Sequence, residues 1–536
     1  MKTRVRVRNR RRILCVFPRY APSFGTFQHA YPLTDGVRAF MPPQGILVIA
    51  AYLPAEWEVR LIDENIAAAN AADFAWADAV FVSGMHVQKA EIIGIAARAR
   101  AAGRASVLGG PSVSACPEDY PHFDYLHLGE LGDATDALIA ALDTDPGPLP
   151  EQRRLSTDER LPLDVFPVPA YEMMQGRRYF LGNIQFSSGC PYRCEFCDIP
   201  GLYGRQPRLK QAEQIVEELD AMLAAGISGS VYFVDDNFIG NKKAARELLP
   251  HLIEWQKSRG YPVQFSCEAT LNIATCPDIL EMMRDACFYA VFCGIETPEL
   301  GALEAMRKTH NRVMPLLEAV ETINSYGIEV VSGIILGLDT DTSSTTGNLI
   351  EFIDRSHIPV LTINLLQALP KTPLWDRLAA ADRLSASPDR DSNVVFLRPY
   401  NEVLDSWQTA VRHAYTPEAI FRRFHWNLDH TYAKRFNPPV TRARLNASNL
   451  RRFVVILVKI LVKVGVLADY RRSFWRFANA ALRAGRIADF IAVSLVAHHM
   501  ITFARECTQG RQSAAFYANR TKATEPQDVR IGLPAE

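Results

Sequence analysis

Three cysteines lie within eight residues of one another, in the stretch Ser188-Gly-Cys-Pro-Tyr-Arg-Cys-Glu-Phe-Cys-Asp198. Cys190, Cys194 and Cys197 have the spacing C-x3-C-x2-C. Iron–sulfur clusters are normally held by four cysteine thiolates, so a loop that supplies three leaves one iron open to another ligand. Structural zinc is the alternative, but such sites usually close with four ligands in two pairs, and the sequence has no second C-x2-C or H-x3-H pair. The spacing therefore favours a [4Fe–4S] cluster.

This cysteine loop resembles the signature of the radical S-adenosylmethionine (SAM) enzymes, and Phe196 matches the aromatic position usual before the third cysteine. The resemblance implies that the open iron chelates the amine and carboxylate of SAM. It also implies a partial (β/α)6 barrel, in which chemistry collects at the C-terminal ends of the strands. Six apolar runs alternate with helical stretches at the expected places: Asn183–Ser187, Val231–Val234, Val263–Cys267, Ala290–Gly294, Glu329–Ile335 and Val360–Leu366.

Acidic and amide side chains follow two of these predicted strands. Asp235, Asp236 and Asn237 come after the second strand, in place of the family segment that holds the amino group of SAM. Carboxylate and amide oxygens are the acceptors that an ammonium group needs. Glu268 ends the third strand, where it could accept from a ribose hydroxyl. Alone, two adjacent aspartates are usually a turn or a helix cap, so the prediction depends on their order after the cysteine loop.

Two further strand ends carry family motifs. Glu296, in Phe292-Cys-Gly-Ile-Glu-Thr297, resembles the glutamate of the G-I-E-[ST] segment. Gly333 and Gly337 match G-x-I-x-G, whose backbone packs against adenine in the family, and glycine suits such close approach. A G-x-x-x-G within a strand more often serves packing.

Residues 13 to about 143 alternate in the same way, with a predicted helix at Gln88–Ala102. The predicted buried parallel strands are Ile13–Phe17, Val59–Ile62, Ala79–Val82, Ser106–Leu108 and Tyr125–Leu128. This pattern predicts a doubly wound, Rossmann-like α/β sheet, which binds ligands beyond the carboxyl ends of its strands. Its place directly before the cysteine loop resembles the cobalamin-binding radical SAM enzymes. The cobalamin-binding residues that the resemblance implies are Gly84, His86, Gly109, Gly110, Pro111, Gly129 and Glu130.

One motif departs from the pattern of many cobalamin domains. Their D-x-H-x-x-G supplies a histidine to cobalt, but here the nearest stretch, Asp124-Tyr-Leu-His127-Leu-Gly129, has the wrong spacing. His127 is predicted to be a packed core residue within a strand. We therefore expect cobalt to lack a protein imidazole ligand. His86, on a loop, is the other histidine that could approach the corrin.

The predicted division of the chain is a basic tail at 1–12, a cobalamin-binding domain at 13–147, a linker at 148–175, a radical SAM barrel at 176–385 and a mostly helical domain at 386–536. The tail has seven basic residues in twelve and lacks the apolar region of a signal peptide. It is either solvated or in contact with anionic lipid headgroups.

The apolar stretch Phe453–Ala468 is shorter than the ~20 residues of a transmembrane helix and contains two lysines, so it is predicted not to span a membrane. Cations at helical spacing predict one basic stripe: Arg452, Lys459, Lys463 and Arg471. The helix is either packed in its domain or lies on lipid with this stripe toward the headgroups. His498 and His499 are predicted to pack the helix rather than to bind metal.

The chain has 536 residues, 48% of them apolar, with 59 basic and 59 acidic side chains. Zero net charge argues against a nucleic-acid partner. The ten cysteines show no disulfide framework, which favours a reducing cytoplasm, with peripheral contact to the inner membrane as a further interpretation.

Two N-terminal stretches, Cys15–Phe27 and Val37–Gly45, and the helical end near Ala504-Arg-Glu506 resemble the hopanoid C-2 methylases. The resemblance implies a hopanoid lipid substrate, an electron donor such as flavodoxin or ferredoxin, and methylation of an unactivated carbon. Two other functions stay open at this point. One is a cobalamin-dependent radical SAM enzyme with another outcome, such as cyclisation or rearrangement, and the other is a non-catalytic iron–sulfur protein.

Overall fold

The computed structural model describes residues 3, 5–227, 229–387, 389–439 and 447–513. A first parallel sheet has the strand order β2-β1-β3-β4-β5-β6. Its strands are β1 (Arg12–Phe17), β2 (Glu58–Asp63), β3 (Ala79–Ser83), β4 (Ala105–Gly109), β5 (Tyr125–Leu128) and β6 (Arg153–Ser156).

The apolar run of β1 is buried on both of its faces. Ile13 and Cys15 pack into one hydrophobic cluster, while Leu14 and Val16 pack into another on the opposite side of the sheet. Helices cover both faces, which is why the central strands are continuously apolar rather than alternating. The helices are α1 (Gln44–Tyr52), α2 (Ala71–Trp76), α3 (Lys89–Ala101), α4 (Pro111–Ala115) and α5 (Asp133–Thr144).

Five strands of this sheet were predicted, and the sixth lies within the predicted linker. Three of the four residues of β6 are exposed, so the strand has no apolar run that could have revealed it. The second half of the basic tail is also fixed, because the backbone amides of Arg8 and Asn9 donate to the carboxylate of Asp143 at 2.9 Å each. Whether the tail meets lipid stays a prediction.

A second parallel sheet has the order β14-β13-β12-β11-β10-β7. The predicted run Asn183–Ser187 divides between its first strand and a short antiparallel pair, β8 with β9, and the other five predicted strands are confirmed. The elements are β7 (Gly182–Ile184), β8 (Ser187–Ser188), β9 (Arg208–Leu209), β10 (Gly229–Phe233), β11 (Val263–Glu268), β12 (Phe288–Glu296), β13 (Glu329–Leu336) and β14 (Leu361–Leu365).

Helices alternate with these strands along the chain, as in a partial (β/α)6 barrel. They are α6 (Ile199–Leu202), α7 (Ala212–Ala224), α8 (Lys242–Ser258), α9 (Pro277–Asp285), α10 (Leu300–Ala305), α11 (Leu316–Ser325), α12 (Thr345–Ser356) and α13 (Pro373–Ala380).

The part of the chain after α13 that the structure describes is mostly helical, as predicted, and packs against the last barrel strand. The indole of Trp407 donates to the carbonyl of Ile363 at 2.8 Å, and the amide of Leu361 donates to the hydroxyl of Tyr415 at 2.9 Å. The helices are α14 (Tyr400–Tyr415), α15 (Pro417–His430), α16 (Ala447–Ile460), which continues as a π-helical segment (Leu461–Leu467), α17 (Arg471–Arg483) and α18 (Ile487–Thr508).

The predicted basic stripe is not one surface. The chain leaves the helix at Ala468, which has extended dihedral angles, so Arg471 begins a different helix. Lys459 turns inward and donates to the carbonyl of Thr34 at 2.6 Å. Among the described residues, α18 is the one helix long and apolar enough to cross a membrane, but 56% of its most apolar window is buried, as in the core helix of a soluble protein.

Candidate active site between the two sheets

The cysteine loop lies between β8 and α6, at the carboxyl edge of the barrel sheet. Cys194 is buried, Cys190 and Cys197 are half-buried, and all three are free thiols. Burial raises the pKa of all three, and for Cys190 and Cys197 the neighbouring cysteines add to the rise. Such thiols become thiolates when a metal replaces the proton.

The donor set suits a cluster better than a single ion. Among the described residues, no three His, Cys, Asp or Glu side chains lie close enough together to hold one metal ion. A [4Fe–4S] cube is bound differently, because each thiolate ligates its own iron at a separate corner. Three free thiols spread over one loop therefore fit the predicted cluster, and the zinc alternative lacks its fourth ligand.

Two aspartates fix the backbone that leads into the cysteine loop. Asp235, buried at 1% exposure, accepts from the amide of Phe186 at 3.3 Å and from that of Ser187. Asp236 accepts from the amide of Gly189 at 2.7 Å, one residue before Cys190. Both were predicted to hold the amino group of SAM. The structure gives them a positioning role, and their contact with SAM stays a prediction.

The other predicted acceptors surround the same loop. Asn237 interacts through its side chain with Cys190, and its Oδ1 accepts from the amide of Thr270 at 3.3 Å. The hydroxyl of Tyr232 donates to Glu268 at 3.3 Å. Burial, followed by the charge of Asp236, raises the pKa of Glu268 to about 7.

Buried carboxyl groups that raise one another's pKa form a site for a cation. Burial raises the pKa of Asp235 to about 7 and that of Asp236 to about 6. Glu268 lies near enough to both aspartates to be affected by their charges. SAM carries positive charge on its sulfonium and amino groups, so this acidic wall beside the cysteines fits SAM.

Lys308 is a site residue that sequence reasoning missed. Its ammonium lies 2.9 Å from Glu296 Oε1 and 5.5 Å from the ring centre of Phe196, and both members of the ion pair are about 9% exposed. Burial would lower the pKa of Lys308, but the charges of Glu296 and Cys194 outweigh it and raise that pKa. Lys308 follows no predicted strand, so no strand-end pattern pointed to it.

The two motif glycines have different surroundings. A side chain at Gly333 would meet the ring of Phe292 at 3.3 Å and Glu296 at 3.7 Å, so this glycine lies beside the predicted SAM residues. Gly337 has a φ of 92°, and a Cβ there would come 2.6 Å from Phe396. The absence of a side chain at Gly337 therefore serves packing in this structure, and its contact with adenine stays a prediction.

His86, after β3 of the first sheet, faces the cysteine loop. Its Nδ1 lies 3.2 Å from the hydroxyl of Ser112, while its Nε2 is buried without a hydrogen-bond partner. Burial lowers the pKa of His86, and the charge of Asp198, next to Cys197, opposes this. A buried ring nitrogen without a partner, close to the cysteine loop, fits a ligand held there, such as a corrin.

The glycines of this edge bring loops close together. Gly110 has a φ of 97°, and a Cβ there would lie 2.6 Å from the hydroxyl of Ser83, so the ends of β3 and β4 are in contact. Pro111 then begins α4. A Cβ at Gly84 would meet Ile92, Gln88 and Pro18 at 3.0–3.1 Å, whereas Gly109 has only an ordinary contact at 3.9 Å. Of these glycines, Gly109 leaves most room for a ligand.

Glu130 joins the two sheets. It accepts from the hydroxyl of Ser188 at 3.3 Å and from Arg208, and it lies 3.2 Å from Arg160. Its neighbour Gly129, with a φ of 104°, donates its amide to Ser114 at 2.9 Å. The predicted cobalamin contact of Glu130 thus competes with ion pairs that hold the first sheet beside the cysteine loop.

The other three histidines with a predicted role, His127, His498 and His499, pack within the protein as predicted. His127 is buried, with Nε2 2.8 Å from the hydroxyl of Thr135, and burial lowers its pKa to about 4. His499 Nε2 lies 3.2 Å from the carbonyl of Phe24, and His498 interacts with the hydroxyl of Tyr470. These rings therefore serve packing and hydrogen bonding within the protein.

The chain matches three family models. Residues 32–139 match the B12 binding domain, residues 184–353 match the Radical SAM superfamily, and residues 372–513 match a domain of unknown function (DUF4070). The two sheets thus correspond to the two cofactor-binding families, in the order that the sequence predicts.

Two relatives and one solved structure extend over nearly the whole chain. The hopanoid C-2 methylase of Rhodopseudomonas palustris (strain TIE-1) is 58% identical over 96% of this chain and 97% of its own length. An uncharacterized methyltransferase of Synechocystis sp. is 31% identical over 91% of this chain and 90% of its own. The cobalamin-dependent S-adenosylmethionine radical enzyme OxsB, solved with aqua-cobalamin and S-adenosylmethionine bound, shares the fold, with a TM-score of 0.55 at 14% identity over 95% of this chain and 82% of that one.

Both cofactor domains and the thiol loop agree with a [4Fe–4S] cluster, SAM and cobalamin as the cofactors. The non-catalytic alternative is thereby excluded. On the strength of its identity to the Rhodopseudomonas enzyme, the chain belongs to the cobalamin-dependent radical SAM methyltransferases, in the family of the hopanoid C-2 methylase.

Proposed function

We propose that this enzyme methylates C-2 of a hopanoid, an unactivated ring carbon. The observation that carries the proposal is the meeting of the two sheets beside the cysteine loop, where Glu130 of the first domain accepts from the hydroxyl of Ser188 at 3.3 Å, two residues before Cys190. The 58% identity to a hopanoid C-2 methylase supports the substrate and the carbon.

When bound, SAM on the cluster supplies hydrogen-atom abstraction, and cobalamin supplies the methyl group. The chain's own residues hold and orient these groups. Cys190, Cys194 and Cys197 ligate iron, while Asp235 and Asp236 keep the loop in place through its backbone amides. A general base is not required for hydrogen-atom abstraction, and we assign none.

The remaining residue assignments belong to the same proposal. On the SAM side they are Phe196, Asn237, Glu268, Glu296, Gly333 and Gly337, to which the structure adds Lys308. Toward cobalamin they are Gly84, His86, Gly109, Gly110, Pro111, Gly129 and Glu130. The unpartnered Nε2 of His86 supports the cobalamin side, and the raised pKa of Glu268 supports the SAM side. We also propose the domain division at residues 175 and 385, with the first domain extended beyond residue 147 to include β6.

Two partners complete the proposal. An electron carrier such as flavodoxin or ferredoxin reduces the enzyme in the cytoplasm. The enzyme also makes peripheral contact with the membrane, because its proposed substrate is a membrane lipid. The sequence similarity to a hopanoid methylase supports the lipid substrate, and the contact itself is argued in the next section.

A labelled-methyl assay tests the proposal. The enzyme is purified without oxygen, its cluster and cobalamin are reconstituted, and reductant, SAM bearing a CD3 group and a desmethyl hopanoid are added. The proposal predicts a hopanoid that has gained one CD3 group in place of hydrogen. Accumulation of 5′-deoxyadenosine without a labelled hopanoid would reject the substrate, and a product of changed structure without added mass would indicate cyclisation or rearrangement.

A further inference from the structure

An apolar stripe runs along the outside of α16 and its π-helical extension. Its members follow one another at intervals of four residues, so they share one face of the helix. They are 59%, 48%, 51%, 49% and 62% exposed, in the order Leu450, Val454, Val458, Val462 and Val466. Within the described residues, no other element covers this face.

The orientation of this helix is the reverse of that in an ordinary soluble domain. Lys459 points inward to the carbonyl of Thr34 at 2.6 Å. Arg452 is half-buried beside Arg177, and burial lowers its pKa. These two cations therefore lie on the inner side while the valines of the stripe face outward. Contiguous exposed apolar surface of this kind marks a contact with a partner or a membrane.

The charge of the surrounding residues decides between these partners. From Ala447 to Arg483 the sequence has eight basic residues and one acidic residue, although the whole chain is neutral. The one acidic residue, Asp469, is paired with Arg505 at 2.9 Å. Lys463, Arg471 and other cations near the stripe are exposed. Basic residues around an apolar helical face are typical of helices that lie on anionic bilayers.

Two further observations favour a bilayer. Trp475, which is 36% exposed, donates its indole N–H to the carbonyl of Gly465 at 2.8 Å, so an amphipathic ring lies beside the stripe. Tryptophan is enriched at membrane–water interfaces. A cavity of about 910 Å³ opens next to the stripe, and its lining includes the stripe residues Val458 and Val462 together with charged side chains such as Lys463 and Arg505.

We propose that the outer face of α16 and its π-helical extension docks onto an anionic lipid bilayer. The stripe enters the level of the acyl chains, and the flanking cations meet the headgroup phosphates. The contact would bring the cavity to the membrane surface, where a lipid substrate resides. This inference rests on the proposed function for its choice of a membrane lipid, but binding to vesicles needs no turnover and can be measured separately.

Vesicle flotation with the reconstituted holoenzyme tests the inference. Vesicles of phosphatidylcholine alone are compared with vesicles that also contain phosphatidylglycerol. The test variant is Val454→Glu with Val466→Glu, since neither valine lines the cavity. Leu397→Glu is the matched control, because Leu397 is 66% exposed in another region. We expect the wild type and the control to float with the anionic vesicles and the test variant to bind at least about tenfold more weakly.

Folding and self-association are checked in parallel. Thermal unfolding and cluster absorbance establish that the test variant is folded. If it is not, Val454→Ser with Val466→Ser is used instead, which removes apolar surface without adding charge. Equal vesicle binding by wild type and variant, or no binding by the wild type, would overturn the inference. A wild-type dimer that the variant loses, with no vesicle binding by either, would identify the face as a self-association surface.

The two proposals fail in different ways. No vesicle binding by the wild type, with intact methylation of detergent-dispersed hopanoid, would reject the docking surface and leave the proposed activity. Vesicle binding without any methylation of hopanoid would support the docking surface and reject hopanoid as the substrate.

Discussion

The two sheets present different chemistry at the edges that meet. The barrel edge carries buried ionisable side chains. Glu268 and Asp235 are examples, and burial raises the pKa of each to about 7. The edge of the first sheet carries several glycines and His86, its carboxylate Glu130 is held in ion pairs, and Gly110 brings its loops into contact. The positively charged groups of SAM need carboxylates placed around them, whereas a bulky corrin needs open backbone. The difference indicates which cofactor each sheet serves.

The largest expected effect comes from Cys194→Ala, which should abolish SAM cleavage at the barrel sheet and leave cobalamin binding at the first sheet intact. In Cys194→Ala the cluster loses one of its three protein ligands, so SAM cleavage should fall to background. Cobalamin should still bind, because none of the three loop cysteines belongs to the first sheet. Anaerobic assay of 5′-deoxyadenosine and the visible absorbance of bound cobalamin measure the two outcomes, and full cleavage by the variant would refute the cluster assignment.

The second effect concerns the buried ion pair of the barrel edge. In Lys308→Met, Glu296 keeps its charge in a buried site without a partner, so the free energy of unfolding should fall by about 3 kcal/mol or more. Lys243→Met is the control, since Lys243 lies 3.8 Å from Glu247 in an exposed pair and should change stability by less than about 1 kcal/mol. Chemical denaturation of both variants decides, and equal losses would contradict a special role for Lys308.

Third, Asp235→Ala removes the acceptor for two backbone amides ahead of the cysteine loop. We expect a loss of about 2 kcal/mol of stability together with poorer cluster incorporation, measured as iron per chain. Asp158→Ala, on the exposed surface, is the matched control. Unchanged iron content in Asp235→Ala would show that the loop holds its shape without this carboxylate.

The smallest expected effect is a pH dependence. Because the pKa of Glu268 is raised to about 7, its carboxyl group is neutral at low pH and gains charge as the pH rises through that value. Binding of cationic SAM should therefore tighten by about tenfold between about pH 6 and pH 8. Without SAM, the same raised pKa makes the folded state less stable as the pH rises from the ordinary value of 4.5 to about 7.

Titration of SAM by equilibrium dialysis at several pH values tests this dependence. Glu268→Gln should weaken the dependence and leave the part that comes from Asp235 and Asp236, and Glu254→Gln, on the outer surface of α8, should leave it unchanged. If the SAM affinity of Glu268→Gln changed with pH as steeply as that of the wild type, Glu268 would not be one of the carboxylates that bind SAM.

Continuous apolar runs and family motifs made most of the fold predictable. Strands such as β1 are buried on both faces, so sequence alone revealed them, whereas the exposed edge strand β6 had no such signal. The three cysteines proposed as cluster ligands were identified from their spacing. Side-chain partners were not, because the roles of Lys308 and Asp235 depend on contacts between residues far apart in the chain.

The C-terminal helices show the same limit. Helical spacing grouped Lys459 and Arg471 on one stripe, but the chain breaks at Ala468 and Lys459 turns inward. Spacing identifies one face of a helix without saying whether that face meets solvent, protein or lipid. The orientation of α16 became clear only from the exposure of its valines.

The most direct test of the central claim uses a hopanoid in which both hydrogen atoms at C-2 are replaced by deuterium. The reconstituted enzyme is supplied with unlabelled SAM and reductant, and both products are analysed by mass. We predict 5′-deoxyadenosine that has gained one deuterium and a methylated hopanoid that has lost one. A methylated hopanoid that retains all of its deuterium, with unlabelled 5′-deoxyadenosine, would contradict methylation at C-2 by hydrogen-atom abstraction.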